Sequence, residues 1–181
     1  MKTRFPRSAI VVLSALLFTF TAAVAPTQAQ NVVGVESLQA ELSSFSQVPA
    51  VVTNGSGEFR AVINTDGTIS FSLTYVNMSS SVTQAHIHFG ASKTNGGIMV
   101  FLCGGSYGAP ACPASGTITG TLTAADVSLL PASNGDSVIP QGITPGDLAG
   151  MLEAIRTGDA YVNVHTINFP SGELRGQVQL R

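Results

Sequence analysis

Apolar and polar residues alternate with a period of two along most of this chain. Leu38 to Phe45 alternates, and so does Glu58-Phe59-Arg60-Ala61-Val62-Ile63. Asn64-Thr65-Asp66-Gly67 then intervenes, and Thr68 to Val76 resumes the pattern. Asp-Gly between two alternating runs is a hairpin signature, because tight hairpin turns need positive φ that these residues tolerate. Further runs cover Thr83–Phe89, Gly97–Cys103, Gly116–Leu122, Ala160–Thr166 and Glu173–Leu180. Eight short strands with Gly-rich turns predict an all-β fold, an antiparallel sandwich or barrel.

Two short helices are expected to interrupt the strands. Thr123-Ala-Ala-Asp126 opens one and Thr144-Pro-Gly-Asp147 the other. Each has Thr at the N-cap and an acid three residues on, which can accept backbone N–H bonds at the positive helix end. In the second, Leu148, Met151, Leu152 and Ile155 recur at helical spacing, and Gly158 supplies a stop. That stripe suits the cover of a sheet edge or barrel end. Pro131 to Gly142 has no pattern and reads as a surface loop. A short internal similarity relates Ser56-Gly-Glu-Phe-Arg-Ala61 to Ser171-Gly-Glu-Leu-Arg-Gly176. It is either coincidence or two similar strand openings with Glu–Arg pairs on their polar faces.

The N-terminus changes the picture of where this fold resides. Lys2, Arg4 and Arg7 precede an apolar run from Ala9 to about Ala25, with small residues at Thr27 and Ala29. This reads as a secretory signal peptide over residues 1–29, cleaved after Ala29, and leaves 30–181 as a single domain. The apolar core is too short, and lacks the following charges, for a retained membrane anchor. The signal holds three of the eight basic residues and none of the ten acids, so the remainder is acidic. That argues against nucleic acid and anionic membrane surfaces, which need basic patches. The expected location is periplasmic or secreted. In an oxidising compartment a disulfide between Cys103 and Cys112 is the expected state. Asn54-Gly-Ser56 and Asn77-Met-Ser79 fit the short glycosylation sequon.

The candidate chemistry lies in the histidines. The chain has three, two of them in Ala85-His86-Ile87-His88 and the third in Tyr161-Val162-Asn163-Val164-His165. Residues i and i+2 of a strand share a face, so His86 and His88 project together beside Gln84. Ala85, Ile87 and Phe89 point the other way, into a core. Tyr161, Asn163 and His165 likewise share one face, and Val162 and Val164 the opposite one. Both strands should therefore bury their apolar set and present imidazole outward. If the strands are neighbours, the three nitrogens can hold one copper or zinc ion and leave a position open. The alternative is plain surface polarity. Ligating imidazoles usually donate their second N–H to a carboxylate or carbonyl. Glu173, Arg175, Asn163 and Tyr161 are candidates for such support. For Glu173 a cross-strand pair with Arg60 or with a strand neighbour competes with that role. Proton competition should weaken metal binding as pH falls through about 6.5, the ordinary histidine pKa.

Ala85-His-Ile-His-Phe-Gly90 with Asn95-Gly-Gly-Ile-Met-Val100 resembles the central motif of the CHRD domain family, named from chordin. Gly158-Asp-Ala-Tyr-Val-Asn-Val-His-Thr166 and Pro170-Ser-Gly-Glu-Leu-Arg-Gly-Gln177 resemble its C-terminal signature. Leu38–Phe45, Val48-Pro49 and Gly57-Glu-Phe-Arg60 are similar to its opening. The resemblance spans about Leu38 to Leu180 and is that of a single-domain bacterial member. It implies an extracytoplasmic β-sandwich module; in animal chordin such domains accompany growth-factor-binding modules. The Cys103–Cys112 pair and its Gly-rich insert depart from the family pattern. The His-x-His strand also resembles the copper strand of Cu/Zn superoxide dismutase, so the fold expected is superoxide-dismutase-like or Ig-like. That enzyme's two-metal site uses six histidines and an aspartate, and its copper half alone uses four. Three histidines exclude such a site and leave at most one ion. No acid pair is placed for glycoside hydrolysis. The expectation is a non-catalytic module with a three-histidine site for copper or zinc. The alternative is a metal-free module that binds an envelope or extracellular protein or a surface polymer.

Overall fold

The computed structural model describes residues 35–105 and 107–181. The expected signal peptide lies outside them. Among the described residues nine strands form one antiparallel sheet. They are β1 (Glu36–Ser43), β2 (Ser56–Ile63), β3 (Ile69–Val76), β4 (Val82–Phe89), β5 (Ile98–Gly104), β6 (Gly116–Leu122), β7 (Ala160–Thr166), β8 (Leu174–Gln177) and β9 (Gln179–Leu180). Their order is β5-β4-β7-β8-β1-β2-β3-β6, with β9 also on β1. The sheet curls until it nearly closes into a barrel. All eight expected strands are present. The last divides in two at Val178, which is buried and donates its N–H to the Ala160 carbonyl.

Alternation builds the core. Leu38, Ala40 and Leu42 of β1 face inward with Phe59, Ala61 and Ile63 of β2 and Ile69, Phe71 and Leu73 of β3. Ala85 and Ile87 of β4 and Val162 and Val164 of β7 join them. Phe59 and Phe71 stack at 6.3 Å between ring centroids. Each such fully buried large apolar side chain contributes roughly 1.5–3 kcal/mol of transfer free energy. Cross-strand register preserves the pattern, since Phe59 pairs with Leu73 and Ala61 with Phe71.

Among the described residues one α-helix forms where two were expected. Thr123-Ala-Ala-Asp126 makes the anticipated capping box, with the Thr123 N–H and hydroxyl both donating to Asp126 Oδ2. It closes only a single 3₁₀ turn, Ala124–Asp126. Ser128 lies at φ 57°, and its N–H is taken by the Met99 carbonyl on β5, so no second turn can follow. The true helix, α1, covers Leu148–Arg156 and buries Met151, Ala154 and Ile155 on the core. Its N-cap is Asp147 rather than Thr144. Gly146 at φ 85° breaks the run before it, and the Asp147 carboxylate accepts the Gly150 N–H at 2.9 Å. Gly158, at φ 83°, marks the stop as expected.

The internal similarity does not extend to structure. Glu58 pairs with its neighbour Arg60 at the surface, whereas Glu173 and Arg175 are buried with unrelated partners. Ser43 of β1 pairs with Ser56 on one side and Arg175 on the other, so the two segments do not sit at equivalent register positions.

Cys103 and Cys112 form the expected disulfide, with Cα atoms 5.1 Å apart. It ties the loop leaving β5 back to that strand, and Gly104 N–H donates to Pro110 O inside the loop. Closing a loop of this length restricts the unfolded chain by roughly 2.5–3 kcal/mol. The double variant Cys103→Ser, Cys112→Ser should therefore unfold at lower denaturant by about that free energy. An unchanged urea midpoint would show that the loop is ordered without the bond.

Candidate metal centre

The three histidines meet because β4 and β7 are hydrogen-bonded neighbours. Their register sets Gln84 opposite His165, His86 opposite Asn163 and His88 opposite Tyr161. His86 and His165 thus lie diagonally across the ladder, with ring centroids 4.7 Å apart. Ligand-capable nitrogens of His86, His88 and His165 all fall within 4.8 Å of one another. His86 Nδ1 and His88 Nε2 are 3.2 Å apart.

The expectation of outward-facing imidazoles is corrected by the fold. The rings do lie opposite the apolar core, but they are buried, at 1 %, 6 % and 7 % exposure for His86, His88 and His165. Loops cover this face. Val48-Pro49, Asn95-Gly96 and Pro170-Ser171 line a cavity of about 380 Å³ over the histidines, together with Asp136, Gln84 and Asn163. A second small apolar cluster, Ile98, Phe101 and Leu130, closes one side. Phe101 meets His86 edge-on at 4.8 Å.

Two backbone carbonyls settle the tautomers. His88 Nδ1 donates to Gly96 O at 2.9 Å, and His165 Nδ1 donates to Pro170 O at 2.9 Å. A carbonyl can only accept, so in each neutral ring the proton sits on Nδ1 and Nε2 carries a lone pair. His165 Nε2 and His86 Nε2 are buried with no hydrogen-bond partner. Bare buried polar atoms are costly and uncommon in native proteins. Here they line the same cavity.

Burial, reinforced by His165 and His88, pushes the His86 pKa down to about 2. Burial likewise lowers His88 to about 3, against the Gly96 hydrogen bond. His165 is lowered by burial too, against Pro170 and Asp136. All three rings are therefore neutral at pH 7. The expected onset of proton competition near pH 6.5 is corrected accordingly: in the folded chain it moves to more acidic pH.

The supporting candidates occupy different places. Tyr161 stacks on His88, with centroids 4.7 Å apart and planes 2° from parallel. The Arg175 guanidinium lies over the Tyr161 ring at 3.4 Å. Arg175 also donates to Thr94 O at 2.7 Å, Ala91 O at 3.2 Å and Asn95 Oδ1 at 3.2 Å, anchoring the loop that carries Gly96. Tyr161 accepts the Gly96 N–H at its hydroxyl. Asn163 Oδ1 accepts from Gln47 Nε2 at 2.8 Å and ties down the loop bearing Val48-Pro49. Glu173 stands apart from the rings. Its carboxylate accepts from the Ser79 N–H and hydroxyl and from Thr166 Oγ1, which pins the β7–β8 connection, and it does not pair with Arg60. Burial alone would raise its pKa, but these donors outweigh it and hold the carboxyl below its ordinary value. Gly96 O, Pro170 O, Gln47 and Phe101 are contributors that the sequence pattern did not single out. Backbone carbonyls carry no residue signature, and Gln47 lies more than a hundred positions from its partner.

The fold and site define an all-β, disulfide-bonded module with a buried three-histidine cluster. The family model for the CHRD domain matches residues 38–178, and the chain belongs to that family, an extracellular-type module. Comparison with curated proteins and with solved structures returns no match. Among the described residues no helix is long and apolar enough to cross a membrane.

Neutral buried histidines make stability pH-dependent with a defined sign. Unfolding frees them to bind protons below about 6.5, while the folded rings resist protonation. Their contribution is complete above pH 6.5 and is lost as pH falls towards the depressed folded values. The metal-free chain should lose up to about 1.4 kcal/mol per pH unit for each histidine below pH 6.5. Urea unfolding at pH 7, 6 and 5 measures this, and a constant free energy across that range would contradict neutral burial.

Proposed function

We propose that this chain is an exported CHRD-domain module that holds one copper or zinc ion through His86, His88 and His165 and works by binding rather than by catalysis. The observation that carries this reading is the pair of partnerless buried Nε2 atoms beside the carbonyl-oriented His88 ring. Imidazole nitrogen suits both ions, and three such ligands are a recurring set. His88 and His165 would ligate through Nε2. His86 would ligate through whichever nitrogen is not protonated; its Nδ1 already lies beside His88 Nε2. Metal–nitrogen bonds of about 2 Å bring ligand atoms to roughly 3–4 Å of one another. The 4.8 Å limit on the group is wider than that, so an ion would draw the widest pair inward. Gly96 O and Pro170 O would orient the rings, as outer hydrogen-bond partners do at metal sites. The formed disulfide fits export to an oxidising compartment, periplasmic or extracellular.

Protein purified from its native compartment should carry close to one equivalent of metal by elemental analysis. His88→Ala and His165→Ala should each lose most of it. Equal and negligible metal in wild type and His88→Ala would refute the site.

A second reading, a metal-free module for a protein or polymer partner, is favoured by one observation. Phe45, Val52 and Ile167 are large apolar side chains at 66 %, 81 % and 66 % exposure, all in connections between strands. On this reading Val52→Asp would abolish recovery of an envelope partner while His88→Ala would not. Recovery unaffected by Val52→Asp would remove the loops from that role.

A further inference from the structure

We infer that the three-histidine site selects a monovalent ion, copper(I), over the divalent ions zinc and copper(II). This rests on the metal-site reading above and adds the charge of the ion to it. Imidazole accepts copper and zinc alike, so ligand type alone does not choose between them. The surroundings do.

All three ligands are neutral, and no carboxylate or thiolate belongs to the cluster. A bound ion would keep its full charge in a place where His86, His88 and His165 are almost wholly shielded from water. The desolvation cost of an ion grows with the square of its charge, so a dication costs about four times as much as a monocation of equal size. Phe101, edge-on to His86, makes one wall apolar.

A buried positive charge stands one aromatic ring away from the cluster. Arg175 is 2 % exposed, and its recorded hydrogen bonds go to two carbonyls and an amide oxygen. No carboxylate forms a salt bridge with it among the described residues. Its guanidinium lies over Tyr161, whose opposite face carries the His88 ring. One aromatic ring therefore separates this cation from a ligand. The single acid lining the cavity is Asp136. It is solvent-exposed, so water and salt screen it more effectively than they screen Arg175. Arg175 repels a dication about twice as strongly as a monocation at the same place.

The test uses the full exported chain, kept free of oxygen. Copper(I) affinity is measured by competition with bicinchoninate, and zinc affinity by competition with a chromophoric chelator. Wild type should bind one copper(I) more tightly than one zinc. Arg175→Met removes the cation, and electrostatic repulsion scales with ion charge. If the variant raises copper(I) affinity by some factor, it should raise zinc affinity by about the square of that factor. Arg175→Lys, which keeps the charge, should leave the ratio of the two affinities near the wild-type value. Zinc binding as tightly as copper(I) to wild type would overturn the inference and leave the metal site standing. Equal gains for both ions in Arg175→Met would overturn the electrostatic origin. Binding of neither ion would overturn the site itself. The wild-type comparison needs no variant, so it decides the ordering even if Arg175→Met fails to fold.

Discussion

The pairing of β4 with β7 is the constraint on which the rest of the site depends. It sets Gln84 against His165 and His88 against Tyr161, and so brings together residues 73 to 81 positions apart. Every residue of β7 is buried, on both faces. One face packs on the barrel core through Val162 and Val164, and the other lies under loops. A strand buried on both sides has little freedom to slip, because a one-residue shift would exchange its valines for Tyr161, Asn163 and His165. The apolar face thus holds the polar face in register.

The covering loops complete what the register begins. Three of them are tied to the polar face by hydrogen bonds, from Gln47 to Asn163, from Arg175 to the 91–95 segment, and from His165 to Pro170. These bonds shield the imidazoles and set their orientation together. Shielding keeps the rings neutral, and the carbonyls then direct two lone pairs away from the backbone. Two ring nitrogens are left without a partner. Elsewhere on this face Asn163 Oδ1, the Tyr161 hydroxyl and the two terminal Arg175 nitrogens are paired, and among the described residues the buried unpartnered side-chain atoms belong to His86 and His165.

Much of the architecture was legible from local pattern. Period-two alternation located all eight runs, the Asp66-Gly67 turn and the Gly158 stop. These are short-range signals, set by which side of a strand a residue occupies and which φ it tolerates. The first helix failed because Ser128 gives its N–H to Met99 on a distant strand. The second began late because Gly146 turns the chain first. Glu173 is a candidate support for the histidines by pattern, but its carboxylate faces Ser79 and Thr166. A period of two does not report those partners.

The sequence by itself determined the class of fold, the disulfide, the family and the face of its own strand on which each histidine lies. Each follows from spacing, residue chemistry or motif within a short span. Only the tertiary structure decided that the polar face is buried, that the rings are neutral, and that Arg175 lies over Tyr161 with no salt-bridge partner among the described residues. Burial and pKa depend on what covers a residue, and the cover here comes from loops around positions 48, 96 and 170. Their convergence is a property of the nearly closed sheet, written nowhere in the strand that carries each histidine.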